Sequence, residues 1–180
     1  MAHTLAIETK HTTANVFYDA LLILTGSILI ALCSHLSVTT PLTHVPFTLQ
    51  NHAVLFISAC LGPRRAVACI AAYLLEGAMG YPVFAHGRFG VACLLGPTGG
   101  YLMSYLPVSF IVGYLFERFP NANALTRLGF FSIGSAITLV FGAMYLSTFI
   151  GWQAAIMLGM VPFLLTDAIK TVALTAIFKK

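Results

Sequence analysis

Long apolar runs, separated by short polar or Gly- and Pro-rich breaks, organise this chain. Six runs stand out, at about residues 16–36, 53–61, 66–79, 98–116, 128–147 and 162–178. Several reach or approach the ~20 residues a helix needs to cross a bilayer. The second and third are shorter, and are expected to tilt or to sit within a bundle. The pattern predicts an all-α integral membrane protein with six transmembrane helices in a single bundle. It shows no internal repeat and no second domain. Residues 1–180 then form one domain, with a short tail over about residues 1–15. Glu8, Lys10, His11 and Asp19 stand at the start of the first run, so it reads as a retained helix and not as a signal peptide.

Composition supports the membrane reading. The chain is 59% hydrophobic and 8% charged. A water-soluble domain carries roughly 25% charged residues, so the polar surface here is too small to face water. The basic residues are also sorted. With six spans, Lys10, Arg64, Arg65, Arg118, Arg127, Lys179 and Lys180 fall on one side, and Arg88 alone lies in an opposite loop. The positive-inside rule places the seven, and both termini, in the cytoplasm. The expected location is a bacterial inner membrane, with lipid as the surrounding partner. The net charge of +4 follows from this sorting and gives no sign of nucleic-acid binding.

The breaks locate a candidate site. Residues 80–101 are rich in Gly and Pro and contain Arg88. In lipid, irregular backbone is tolerated only where protein buries it or where it lines a cavity. The outer side also holds the 36–52 loop, with Pro41, Pro46, Gln50 and Asn51, and the 149–161 segment, with Trp152. That segment is expected to form a short interfacial helix or cap, after which Pro162 starts the last span. Asp167 and Lys170 then share a face in the outer half of the last helix. Glu76 near the end of the third span and Arg88 in the loop join them, and the four formal charges sum to zero. Charges at membrane depth usually face a partner or a cavity. Two internal salt bridges are one reading. A polar pocket is the other, in which Arg88 or Lys170 meets an anionic group and Asp167 or Glu76 accepts from ligand N–H groups.

In Gly96-Pro97-Thr98-Gly99-Gly100, Thr98 is a candidate N-cap whose helix start points outward. Gly96 and Gly100 equally have the spacing of a helix-packing motif. The Lys-Ser/Thr ending of a P-loop is absent, so the chain shows no ATP site of its own. Cys33, Cys60, Cys69 and Cys93 are dispersed and read as buried small hydrophobes. His35, His44, His52 and His86 lack a metal-ligand spacing, and no metal or cofactor is expected. No hydrolase motif appears. A carboxylate-based intramembrane enzyme using Glu76 and Asp167 is the enzymatic alternative.

Several motifs in order resemble the BioY family of biotin transporters, the substrate-binding S components of energy-coupling-factor (ECF) vitamin transporters. They are Val45-Pro46-Phe47-Thr48-Leu49-Gln50, Leu61-Gly62-Pro63-Arg64-Arg65, Gly80-Tyr81-Pro82-Val83-Phe84-Ala85, Leu95-Gly96-Pro97-Thr98-Gly99-Gly100-Tyr101-Leu102, and Pro162-Phe163 followed by Asp167 and Lys170. The resemblance implies a six-helix bundle holding biotin near the outer surface. It implies binding roles for Gln50, Arg88, Asp167 and Lys170, with Glu76 and Tyr101 as further candidates. The implied partners are a transmembrane coupling protein and two cytoplasmic ATPase subunits, which fits the missing P-loop. Small residues on the first helix would dock the coupling protein, and Ser27 and Ala31 are the nearest match. An S component for another vitamin is the neighbouring alternative.

Overall fold

The computed structural model describes residues 13–38 and 46–178. Lys10, Pro41, His44, Val45, Lys179 and Lys180 lie outside them. Helix α1 spans Thr13–His35 and leads into strand β1 (Ser37–Val38), which pairs antiparallel with β2 (Phe47–Thr48). Then come α2 (Gln50–Ala78), a 3₁₀ turn (Ala85–Gly87), α3 (Val91–Leu95), α4 (Gly99–Arg118), α5 (Ala124–Ile150), α6 (Trp152–Gly159) and α7 (Val161–Ile177). Five stretches are long and apolar enough to cross a membrane: Val16–His35, Gln50–Ala78, Gly99–Arg118, Ala124–Ile150 and Trp152–Ile177.

The second stretch is not one straight rod. Twenty-three residues of straight helix would separate Gln50 from Tyr73 by ~34 Å. Instead Gln50 Nε2 lies 2.9 Å from the Tyr73 hydroxyl. The chain folds back at Gly62, whose φ of 73° and ψ of 174° break the helix. Glycine takes positive φ without a Cβ penalty, and Pro63 opens the second arm, where a missing N–H does no harm. Gly113 of α4 lets the turn dock, because a methyl group there would sit 2.7 Å from the Pro63 nitrogen. The arms, 50–61 and 63–78, correspond to the two short expected runs.

Their boundaries differ from expectation at one informative place. Gln50, Asn51 and His52 were expected in a loop, yet they form the first turn of α2 and are buried. Their polarity reads as a loop signal only if they face solvent. Here they face the bundle and find partners inside it.

Helix α1 packs on both arms of α2. At Gly26 an added Cβ would come within 2.5 Å of Cys69 Sγ and 3.7 Å of Ile57 Cδ1. Ser27 is fully buried and donates to Glu76 Oε1 at 2.9 Å. Ala31 packs against the same core. Ser27 therefore turns inward, while Ala31, expected with it as a docking pair, is partly buried. The half-buried Glu76 carboxylate needs a donor, and Ser27 supplies it. The opposite face of α1 is apolar and exposed at Phe17, Leu21, Leu24, Ile28 and Leu32.

Helices α4 and α5 meet through glycines. A methyl at Gly100 would overlap Tyr145, and one at Gly142 would overlap the Tyr101 ring. Gly96 makes no such interhelical contact, its nearest neighbour being Ala92 O of its own preceding turn. The Gly96/Gly100 spacing is thus not a joint interface. At the charged end, Phe116 packs against Phe130, Phe131 and Phe178. Asn123 caps α5 by accepting from Thr126 N at 2.8 Å. The segment before the last helix is the short α6, begun at Gly151 with φ 83°, and Pro162 lies in the first turn of α7.

Candidate functional site

A cavity opens at the end of the bundle opposite the Gly62 turn. Its wall includes Pro46 and Thr48 around β2, Gln50 and Asn51 of α2, Phe84, Ala85 and Arg88 of the 80–98 loop, Thr98 and Tyr101 at the start of α4, Thr138 of α5, and Phe163 and Asp167 of α7. One side is apolar and aromatic. Phe47 stacks on Phe163 at 4.4 Å with 23° between ring planes, so the β2 segment is fastened across the start of α7.

The polar side is a connected network. Asp167 is buried. Its Oδ2 accepts from Ser135 Oγ at 2.7 Å and from Asn51 Nδ2 at 3.3 Å. Asn51 Nδ2 also lies 3.2 Å from Ser135 Oγ, and Asn51 Oδ1 accepts from Thr138 Oγ1 at 3.2 Å. The first arm of α2, α5 and α7 thus converge on one carboxylate. A buried carboxylate without donors would be strongly disfavoured, and these donors meet one of its two oxygens. No partner is seen for Oδ1 among the described residues.

Gln50 is oriented by the same logic. The Tyr73 hydroxyl donates its single proton to Val83 O at 3.0 Å, so it can only accept from Gln50. Gln50 must therefore present its amide nitrogen to Tyr73, which leaves its carbonyl oxygen toward the cavity. One amide N–H is spent inside the protein, and the carbonyl acceptor is offered to a ligand.

The cationic residues divide. Arg88 is exposed at the cavity rim, with Nε donating to Ala85 O at 3.4 Å. Lys170 is half-buried outside the cavity wall, and its Nζ donates to Thr48 O at 2.9 Å. It braces the β2 segment. Neither forms a salt bridge with Asp167 or Glu76. The one ion pair among the described residues joins Arg65 to Asp19 at 2.8 Å, at the other end of the bundle. The two-salt-bridge reading of the four charges is therefore not realised.

Of the expected site residues, Gln50, Arg88, Tyr101 and Asp167 line the cavity. Tyr101 is buried, with its hydroxyl donating to Gly159 O at 2.7 Å, which ties α4 to the end of α6. Glu76 is placed against Ser27, away from the cavity wall. Thr98 occupies the N-cap position of α4 but makes no side-chain capping bond, contrary to expectation. Its φ of −89° and ψ of −5° are helical, so the side chain is not posed to reach back to the N–H groups. Among the described residues no group of three or more His, Cys, Asp or Glu could hold a metal.

Sequence reasoning missed Ser135, Thr138 and Tyr73. A faint signal existed for the first two. They stand three apart within an apolar run, hence on one helix face.

Comparison with known proteins places this geometry. The BioY family model matches residues 7–180. The biotin transporter BioY2 of Lactococcus lactis is 33% identical over 160 residues, covering 88% of this chain and 86% of the relative. The biotin transporter BioY of Thermotoga maritima is 37% identical over 136 residues, covering 75% and 79%. The crystal structure of the S-component for biotin from an ECF-type ABC transporter superposes with a TM-score of 0.79 at 24% identity, over 97% of this chain and 92% of that one. The chain belongs to the BioY family.

Proposed function

We propose that this protein captures biotin and carries it across the membrane as the S component of an ECF transporter. The observation that carries the reading is the cavity's polarity. Buried Asp167 and Gln50 offer acceptor oxygens beside aromatic walls, and a single exposed cation, Arg88, stands at the rim. Biotin is complementary in chemistry: a neutral ureido ring with two N–H donors, an apolar bicycle, and a chain ending in a carboxylate. Asp167 Oδ1 and Gln50 Oε1 take the ureido N–H groups. Arg88 takes the carboxylate. Lys170 acts through Thr48, holding the β2 segment across the site. Tyr101 contributes its ring, and Glu76 supports α1 without touching ligand. The names of the relatives favour the same vitamin.

In this reading the two arms of α2 each count as a span, giving six with α1, α4, α5 and α7. The Gly62 end, with Arg64, Arg65 and Arg118, faces the cytoplasm, as do both termini, and the cavity opens outward. The membrane is the bacterial inner membrane. The whole chain acts as one domain. Hydrolysis of ATP belongs to two ATPase subunits, joined through a transmembrane coupling protein. With Ser27 buried and Ala31 partly buried against the core, that protein meets the exposed apolar face of α1 instead.

An enzyme using Glu76 and Asp167 is disfavoured, since only Asp167 reaches the cavity. A buried polar site rejects analogues that leave its groups without partners. The test is competition binding by purified protein against a panel of vitamins. Biotin alone should saturate the site, and it should be recovered unchanged. Stronger binding of a different vitamin would sink the assignment.

A further inference from the structure

The 80–98 loop is fastened to two helices at one carbonyl. Val83 O lies 2.6 Å from Ser34 Oγ of α1, whose single proton it shares with Ala31 O at 2.7 Å, and accepts from the Tyr73 hydroxyl of α2 at 3.0 Å. Tyr73 in turn accepts from Gln50 Nε2, and Gln50 lines the cavity. Three residues on, Ser37 Oγ lies 3.1 Å from His86 Nδ1. His86 sits at φ 61°, unusual for a side chain bearing a Cβ. Between these two ties the loop sends Phe84 and Ala85 onto the cavity wall, and Arg88 follows two residues past the second tie. Phe84 lies across Gly77, where a methyl would overlap its ring, and packs edge-on against Tyr73 at 5.6 Å. The two donors to Val83 are well buried, with both Ser34 and Tyr73 at 0% exposure.

We infer that Ser34 and Tyr73 are positioning residues that hold this loop closed over the cavity, with the end of α1 as the releasable half of the latch. The inference rests on the proposed reading of the cavity as the biotin site. Its physical basis is an asymmetry between the two donors. Tyr73 belongs to the second arm of α2, which is packed against α1, α4 and the first arm. Helix α1 packs chiefly on α2, while its far face is exposed and apolar. A shift of α1 along α2 therefore breaks the Ser34 tie, while Tyr73 stays in place and Ser37 is held by its pairing with Thr48. Two donors share one oxygen, so losing Ser34 leaves Val83 O with a partner, and the loop can loosen without exposing a bare buried carbonyl.

The test uses the full-length protein in lipid nanodiscs, with Ser34→Ala, Tyr73→Phe and the double variant. Tyr73→Phe keeps the ring against Phe84 and removes only the hydroxyl. Amide hydrogen exchange of peptides covering residues 81–90, without ligand, should rise by about fivefold in each single variant, the effect of one net hydrogen bond. In Ser34→Ala, which leaves the Gln50–Tyr73 bond intact, biotin release should accelerate by a similar factor with the association rate unchanged. Exchange at 81–90 equal to the parent's in both single variants would overturn the inference. So would faster exchange spread evenly over all helices, the mark of general destabilisation. If the loop loosens as expected while the parent protein binds no biotin, the latch stands and the ligand assignment falls.

Discussion

Ser135 Oγ donates to Asp167 Oδ2 at 2.7 Å, joining the middle of α5 to α7 at the wall of the cavity. The bond occupies one carboxylate oxygen and leaves the other for a ligand. The same oxygen also accepts from Asn51 Nδ2, so hydroxyl and amide donors of two other helices meet this buried carboxyl group.

Replacing Asp167 by Asn removes the charge while keeping the shape. A hydrogen bond to a charged group contributes ~1.5–3 kcal/mol, so biotin affinity should fall at least about tenfold. Calorimetric titration of the purified variant checks this. Ser135→Ala should weaken binding less, because Asn51 Nδ2 still reaches Oδ2 at 3.3 Å.

Arg88 and Lys170 should separate by ligand chemistry. Arg88→Ala should weaken biotin by about tenfold or more and leave biotin amide, which lacks the carboxylate charge, nearly unchanged. Lys170→Ala releases Thr48 O and should weaken both ligands alike. The reverse pattern would assign the carboxylate to Lys170.

Gly142 is where α5 admits the Tyr101 ring. Gly142→Ala forces the ring to move, and overpacking of this kind costs ~1–3 kcal/mol. The thermal unfolding midpoint in detergent should drop by several degrees. Tyr101→Phe loses only the bond to Gly159 O and should cost ~1 kcal/mol. A drop as large as that of Gly142→Ala would show that the hydroxyl matters more than the ring.

Gly62→Ala places a Cβ at φ 73°, with Glu117 Oε2 at 3.4 Å from it. The left-handed region costs a non-glycine residue ~1–2 kcal/mol. Reduced folded yield is expected, with cavity binding retained in the folded fraction. Loss of binding at unchanged yield would mean that the turn controls the far end of the bundle.

Orientation is open to chemical labelling. In a variant lacking Cys33, Cys60, Cys69 and Cys93, Arg64→Cys should react with an impermeant reagent only from the cytoplasmic side, and Arg88→Cys only from outside. Labelling of both from one side would invert or break the six-span topology.

Much of this was legible in the sequence because lipid imposes a strict rule. Apolar runs become helices, since each must satisfy its own backbone hydrogen bonds. The Gly62-Pro63 pair is a local instruction to stop and turn, and the two short runs around it are readable as separate arms. Asp167 and Arg88 stood out because charge is rare in such a chain. Gln50 and Asn51 were visible as polar residues but were assigned to a loop, since polarity alone does not say which way a residue faces.

The sequence by itself determined the helical membrane class, the family, the hairpin turn and the residues with the chemistry to bind a polar ligand. Those follow from local physics: hydrophobicity, backbone sterics and the scarcity of charge. Only the tertiary structure decided which of those residues meet. It set Glu76 against Ser27, spent Lys170 on a backbone carbonyl, and recruited Ser135, Thr138 and Tyr73 from otherwise apolar runs. Such pairings join positions tens of residues apart. They depend on how helices rotate as their glycines and rings interlock, which no single segment specifies.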